Sequence, residues 1–140
     1  MAQNTTPIFP LVPKITWVNT GAVTANTTTN LTTGTIFDSS FTADAANGSR
    51  VDYIRVRSLG TNVATVMRVW INNGSATGTS TNNTLFFERT LASTTATQTA
   101  ELPDVIIPMN ISMPAGYKIY YTFGTGVAAG YSITVTGGDY

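Results

Sequence analysis

From Lys14 onward the chain alternates short β-branched or aromatic runs with clusters of Gly, Asn, Ser and Pro, the pattern of antiparallel strands joined by turns. Within Val51 to Leu59, Ile54 and Val56 share one face while Arg55 and Arg57 point the other way, as in a half-buried strand. From Val63 to Ile71 the residues Val63, Thr65, Met67, Val69 and Ile71 alternate with Ala64, Val66, Arg68 and Trp70. Both faces of that strand are substantially apolar, so it is expected to be central or covered by a second layer. Val105 to Met113 keeps Ile107, Met109, Ile111 and Met113 in period-two register but is interrupted by Pro108, which predicts an edge position or a bulge. In Lys118 to Phe123, Ile119, Tyr121 and Phe123 face away from Lys118, Tyr120 and Thr122. In Tyr131 to Thr136, Tyr131, Ile133 and Val135 form one stripe.

Shorter runs at Ile15 to Val18, Thr35 to Asp38 and Leu85 to Leu91 add further strands, and Thr24 to Thr33 reads as a polar strand passing into a loop. Asp44 to Ser49 is a turn in which Asn47-Gly48 can take positive φ, Asn72 to Asn83 is a long surface loop, and Pro114-Ala-Gly116 is a tight turn. About eight strands in one domain, residues 14–140, predict an all-β, two-sheet antiparallel β-sandwich, jelly-roll-like in architecture. No internal repeat of 20 to 50 residues is present beyond shared turn vocabulary, which disfavours a solenoid or propeller.

The first 13 residues form an extended arm. Pro7, Pro10 and Pro13 stand three apart, fix φ and remove amide donors, so neither a helix nor a central strand can form there. Between them lie Ile8, Phe9, Leu11 and Val12, apolar side chains that need a surface to bury them. Two readings follow: an edge segment lying on its own domain, or an arm, Pro7 to Pro13, that docks on a neighbouring subunit.

Composition narrows the chemistry. The chain has no histidine, which removes the commonest general base and metal ligand, and no cysteine, which removes disulfides and thiolate sites. Only 10% of residues are charged and the formal net charge is zero, so no field draws in nucleic-acid phosphates, and nucleic-acid binding is not expected. Thr makes up about a fifth of the chain, and hydroxyls and amides must supply the solubility that charge usually provides. No run approaches a membrane helix, and no basic start followed by an apolar core suggests a signal peptide. The Asn-x-Ser/Thr triplets at Asn4, Asn26, Asn30, Asn47, Asn73, Asn82 and Asn110 are of the kind this composition generates by chance.

Candidate chemistry is correspondingly thin. Glu101 and Asp104 are close in sequence but sit at what reads as a solvated strand entrance rather than facing across a cleft. Asp44 with Asn47 and Gly48 offers too few carboxylates for calcium and reads as a turn. The only lysines, Lys14 and Lys118, leave a serine-lysine dyad as the sole conceivable activated hydroxyl, and neither follows a phosphate-loop spacing. No enzyme activity, cofactor or metal is expected. Trp17, Trp70, Tyr120 and Tyr121 could stack on sugars, although core packing or a subunit interface is the commoner use of aromatics at alternating strand positions. Tyr53, Val66, Trp70 and Tyr120 lie opposite the core stripes and form the expected self-association surface.

Three stretches, Ser58-Leu-Gly-Thr-Asn-Val-Ala-Thr-Val-Met-Arg-Val-Trp-Ile-Asn-Asn-Gly74, Met113-Pro-Ala-Gly-Tyr-Lys-Ile-Tyr-Tyr-Thr-Phe-Gly-Thr125 and Ala129-Gly-Tyr-Ser-Ile-Thr-Val-Thr-Gly-Gly-Asp-Tyr140, resemble small virion proteins of tailed bacteriophages, in a pattern similar to capsid decoration, or cement, proteins. The likeness is one of strands and turns from about Ser49 onward and carries no individual site residue. It implies a β-sandwich, often a homotrimer, on the outer capsid surface of the virion, where it binds the major capsid protein and staples its subunits together. The other expectation in the same setting is a tail-tip or fibre domain that binds host-surface carbohydrate.

Overall fold

Eight strands carry the chain back and forth between two sheets in the computed structural model, which describes residues 9–28, 30–32 and 34–140. They are β1 (Val12–Asn19), β2 (Phe37–Thr42), β3 (Ser49–Ser58), β4 (Thr65–Asn72), β5 (Asn83–Leu91), β6 (Asp104–Met113), β7 (Lys118–Phe123) and β8 (Tyr131–Asp139). The first sheet has the order β1-β8-β3-β6 and the second β2-β7-β4-β5, and all pairings are antiparallel. Strand β1 pairs with β8, β2 with β7, β3 with β6 and β4 with β5. Those are the pairings of one long hairpin folded at the β4–β5 turn, and rolling it up brings β8 beside β3 and β7 beside β4. The result is the jelly-roll form of the antiparallel sandwich.

The core lies between the sheets and follows the period-two stripes. Val51, Ile54 and Val56 of β3 and Ile133 and Val135 of β8 meet Met67 and Val69 of β4 and Ile119, Tyr121 and Phe123 of β7, all fully or almost fully buried. Burying an aliphatic or aromatic side chain of this size contributes about 1.5–3 kcal/mol. Phe123 stacks on Tyr131 at 5.4 Å with rings 9° from parallel, joining the second sheet to the first, and Phe37 meets the same Phe123 edge-on at 5.8 Å.

Strand β4 is interior to its sheet, as its two apolar faces require. Pro108 lies on an edge strand and also at a bulge: Val51 pairs with Ile111 and Tyr53 with Pro108, so β6 carries an extra residue there, with Asn110 at φ 49°. The turns at Gly48 (φ 78°) and Gly116 (φ 76°) use the left-handed region that glycine tolerates. Two expectations need correction. The described residues of 24–33 form no strand; their asparagines close local turns instead, Asn26 Oδ1 accepting from the Thr28 amide (3.1 Å) and hydroxyl (2.7 Å), and Asn30 Oδ1 from those of Thr32 at the same distances. The strand expected over Thr35 to Asp38 runs from Phe37 to Thr42, because the buried side chain that anchors it is Phe41.

Asparagine also ties the loops at one end of the sandwich. Buried Asn62, in the β3–β4 turn, accepts from the amides of Ala129 (2.8 Å) and Gly130 (3.1 Å) and donates through Nδ2 to Ser58 Oγ and the Gly130 carbonyl, both at 2.8 Å. Its backbone exchanges two hydrogen bonds with Thr94 of the β5–β6 connection. Gly130 has φ 74°, and a Cβ there would fall 1.8 Å from the Gly21 carbonyl oxygen, so the β1–β2 loop also closes on this node. Replacing Asn62 with Ala leaves buried donors and acceptors unmet and is expected to destabilise the fold by about 3 kcal/mol. Urea unfolding measures it, and a loss below about 1 kcal/mol would show that the node is dispensable.

Candidate interaction surface

The outer faces of the two sheets differ in what covers them. On the second sheet the outward residues include Val66, Arg68 and Trp70 of β4 and Tyr120 and Thr122 of β7. Trp70 is only 3% exposed and donates its indole N–H to Thr122 Oγ1 at 3.0 Å, with Thr122 itself fully buried. The β1–β2 loop is fastened over this face: the Asn26 amide donates to the Phe123 carbonyl (2.7 Å), and Arg68 donates to the Asn26 carbonyl (3.1 Å). Leu31 of the same loop is buried, and like Trp70 it lies outside the core between the sheets.

This arrangement corrects the expected self-association patch. Trp70 is already covered by its own chain, Val66 and Tyr120 are half-buried beside it, and Tyr53 belongs to the other sheet, so the four residues do not form one surface. The sequence signal was sound in parity, since all four do point away from the core, but strand parity does not reveal which outer face a loop will cover.

On the outer face of the first sheet Pro10 packs over Gly138 at one corner, while Ile15, Trp17 and Ile106 stay exposed. Its register lays side chains out in rows that cross β1, β8, β3 and β6 in turn. One row reads Trp17, Thr134, Arg55, Ile106; the next reads Ile15, Thr136, Tyr53, Pro108. Trp17 is 64% exposed and Ile15 and Ile106 are each 60% exposed, on opposite edge strands with hydroxyls and one guanidinium between them. Ile15 and Ile106 were overlooked at the level of sequence, yet Ile106 stands in opposite parity to Ile107 and Met109, and that is the signal for an outward position. Ile15, Thr16, Trp17 and Ser40 also line a shallow groove of about 380 Å³ at the corner where β1 passes β2.

Charge on this face is held in ion pairs, Arg50 with Asp52 (2.8 Å) and both Arg55 and Arg57 with Asp104. Arg55 grips Asp104 through Nε (3.1 Å) and a closer Nη2 contact, and Arg57 stands 4.0 Å from the same carboxylate. The hydrogen bonds from Arg55 hold the Asp104 carboxyl below the usual carboxylate range. Asp104 is therefore engaged by arginines, and the structure does not bring it to Glu101 as an acid pair. Asp44 Oδ1 accepts from the amides of Asn47 (2.8 Å) and Ala46 (3.0 Å), which lowers its pKa in the same sense and closes the turn. Lys14 is bound to Asp139 (3.0 and 3.1 Å) and to the Thr42 carbonyl (2.6 Å), above the Phe41 ring. Among the described residues no three acidic side chains gather in a way that could hold a metal, and no helix is long and apolar enough to cross a membrane.

The arm is placed from Phe9 onward; Pro7 and Ile8 lie outside the described residues. Its second half belongs to the sheet. The Leu11 amide donates to the Asp139 carbonyl at 2.7 Å, Val12 pairs with Asp139 and Pro13 with Gly138, and the absence of a side chain at Gly138 makes room for Pro10. Strand β1 thus starts at Val12, inside the proline-spaced segment, while the side chains of Phe9 (71% exposed) and Leu11 (80% exposed) remain in solvent.

The chain matches no protein-family model, no curated protein and no solved structure. The Arg55–Asp104 contact gives a direct check on this surface. A carboxyl with a depressed folded pKa adds stability above its unfolded pKa and loses it as pH falls through the folded value. In Arg55→Gln the Asp104 titration, followed by carboxyl-carbon NMR, should move upward toward the ordinary aspartate range. An unmoved titration would mean that Arg55 does not hold Asp104.

Proposed function

We propose that this chain is a structural virion protein of the decoration type, which binds the outer surface of a phage capsid and stabilises contacts between major capsid subunits without catalysing a reaction. The observation that carries this reading is the start of β1. There the backbone is fixed to its own sheet through Leu11, Val12 and Pro13, while Phe9, Leu11 and Val12 hold apolar side chains out to solvent. Anchors on an ordered backbone bind at little further cost in conformational entropy, and apolar side chains of this size are the usual centres of protein interfaces. The strand-and-turn likeness of Ser58–Gly74, Met113–Thr125 and Ala129–Tyr140 to phage virion proteins supports the setting. A chain without histidine or cysteine and with so little charge is suited to work by contact area.

The jelly roll is a frame used by viral shell proteins and by lectins, so the side chains must choose between them. One observation favours the second use: Trp17 is an exposed aromatic beside a groove that includes Ser40, a geometry on which a sugar ring can stack.

The two readings separate experimentally. Phe9→Asp combined with Leu11→Asp is expected to weaken binding to purified capsids roughly tenfold or more, with the thermal midpoint unchanged within about 2 °C. Undiminished binding rejects the arm as the anchor. On a glycan array the decoration reading expects no sugar preference from either the native chain or Trp17→Ala; a sugar signal lost in Trp17→Ala decides for the carbohydrate-binding role.

A further inference from the structure

We propose that the outer face of the first sheet is self-complementary, and that a second copy of this chain covers it about a two-fold axis parallel to the strands. Face-to-face sheets pack with their strands roughly aligned, which leaves two ways of turning this face onto itself. An axis along the strands keeps every residue in its row and reverses the strand order, so that β1 lies over β6 of the second copy and β8 over β3. Trp17 then meets Ile106 of the second copy and Ile15 meets Pro108, each contact occurring twice, as an isologous interface requires. Arg55 lands over Thr134, Arg57 over Ser132, Asp104 over Asn19 and Arg50 over the corner where Pro10 covers Gly138, following the observed register, while Asp52 at the bulge stays paired with Arg50 of its own copy.

The other axis, in the plane of the sheet but across the strands, reverses the rows. It sets β3 over β3 and brings the row of Arg57 onto the row of Arg50, placing two guanidinium pairs in opposition. Like charges facing each other in an interface oppose association, so the arrangement along the strands is the one this face selects. The remaining driving force is the burial of Ile15, Trp17 and Ile106, which the chain's own loops leave exposed. Four strands about 4.8 Å apart and four rows about 6.8 Å apart give roughly 500 Å² per copy in plan, near the lower end of specific interfaces. Association is therefore concentration-dependent.

The absence of cysteine from the chain makes the test clean. Pro13 and Ser112 share a row on the two edge strands of the sheet and lie outside the apolar set that drives association. In the proposed pair Pro13 of one copy lies over Ser112 of the other, across the roughly 10 Å between packed sheets. A bis-maleimide linker of about that span, added at about 100 μM protein to the variant carrying both Pro13→Cys and Ser112→Cys, is expected to give a covalent dimer on a denaturing gel, while either single variant stays largely monomeric. By sedimentation equilibrium the native chain should dimerise, and Trp17→Arg should weaken that association roughly tenfold or more with an unchanged circular dichroism spectrum. A native chain that is monomeric up to about 1 mM, a trimer indifferent to Trp17→Arg, or cross-linking no greater in the double variant than in the single ones would each overturn the proposal. None of these outcomes bears on capsid binding through Phe9 and Leu11, which is measured with different residues.

Discussion

Two sheets can bury a face each only if every strand keeps its alternation in step with the strands on either side. A slip of one residue would turn an entire apolar stripe out to solvent. In this chain the stripes are Val51, Ile54 and Val56, Met67 and Val69, Ile119, Tyr121 and Phe123, and Ile133 and Val135. Where parity would otherwise fail, bulges restore it. Beside Asp52 both neighbours of β3 shift register, and Val51 and Ile54, three apart and so of opposite parity, are both buried. The bulge is thus part of the core's design. Because the pairing partners lie at opposite ends of the chain, as β1 and β8 do, the sandwich closes only after long loops have been closed, and that entropy must be recovered from the inter-sheet packing.

With so few charges, the loops depend on amide side chains. Asn26 and Asn30 shape the β1–β2 loop, and Asn62 joins three connections at one end of the sandwich. Asn82 and Asn83 donate to the carbonyls of Ala76, Thr77 and Thr79 and so give structure to the long β4–β5 connection. An amide both donates and accepts, so one buried side chain can serve two backbone strands at once. Exposed ion pairs such as Arg50–Asp52 add little by comparison.

Strand identity was legible wherever alternation was long and apolar: β3, β4, β6 and β7 could be read from residue parity alone, and Pro108 marked both an edge and a bulge. The segment around Asn26 and Asn30 could not be read that way, because threonine favours strands by propensity, while an asparagine two residues before it captures the threonine amide and hydroxyl in a local turn. Strand order was not legible, since pairings between opposite ends of a chain leave no mark in local spacing. Nor was the difference between Trp17 and Trp70. Both stand at outward strand positions, yet Trp70 is buried and bonded to Thr122 while Trp17 stays exposed, a difference that parity does not carry.

That difference between the faces acts together with the edges. On the first sheet both edge strands carry a proline, Pro13 on β1 and Pro108 on β6, and β6 is further distorted at Asn110. Each proline removes a donor that an added strand would need, so growth of this sheet edge to edge is discouraged. On the second sheet the outer face is fastened under the chain's own loop. The edge strand β5 is bulged where Val69 and Trp70 pair with Phe87 and Leu85, and it presents Glu88 and Arg89 to solvent. Besides Leu85 and Phe86 on β5 and the arm residues Phe9 and Leu11, apolar side chains stay open on the face between two blunted edges, where Trp17 and Ile15 stand on one side and Ile106 on the other. A surface blunted at its edges and open on its face favours a partner that docks face-on, which is the contact a second copy of the same sheet would make.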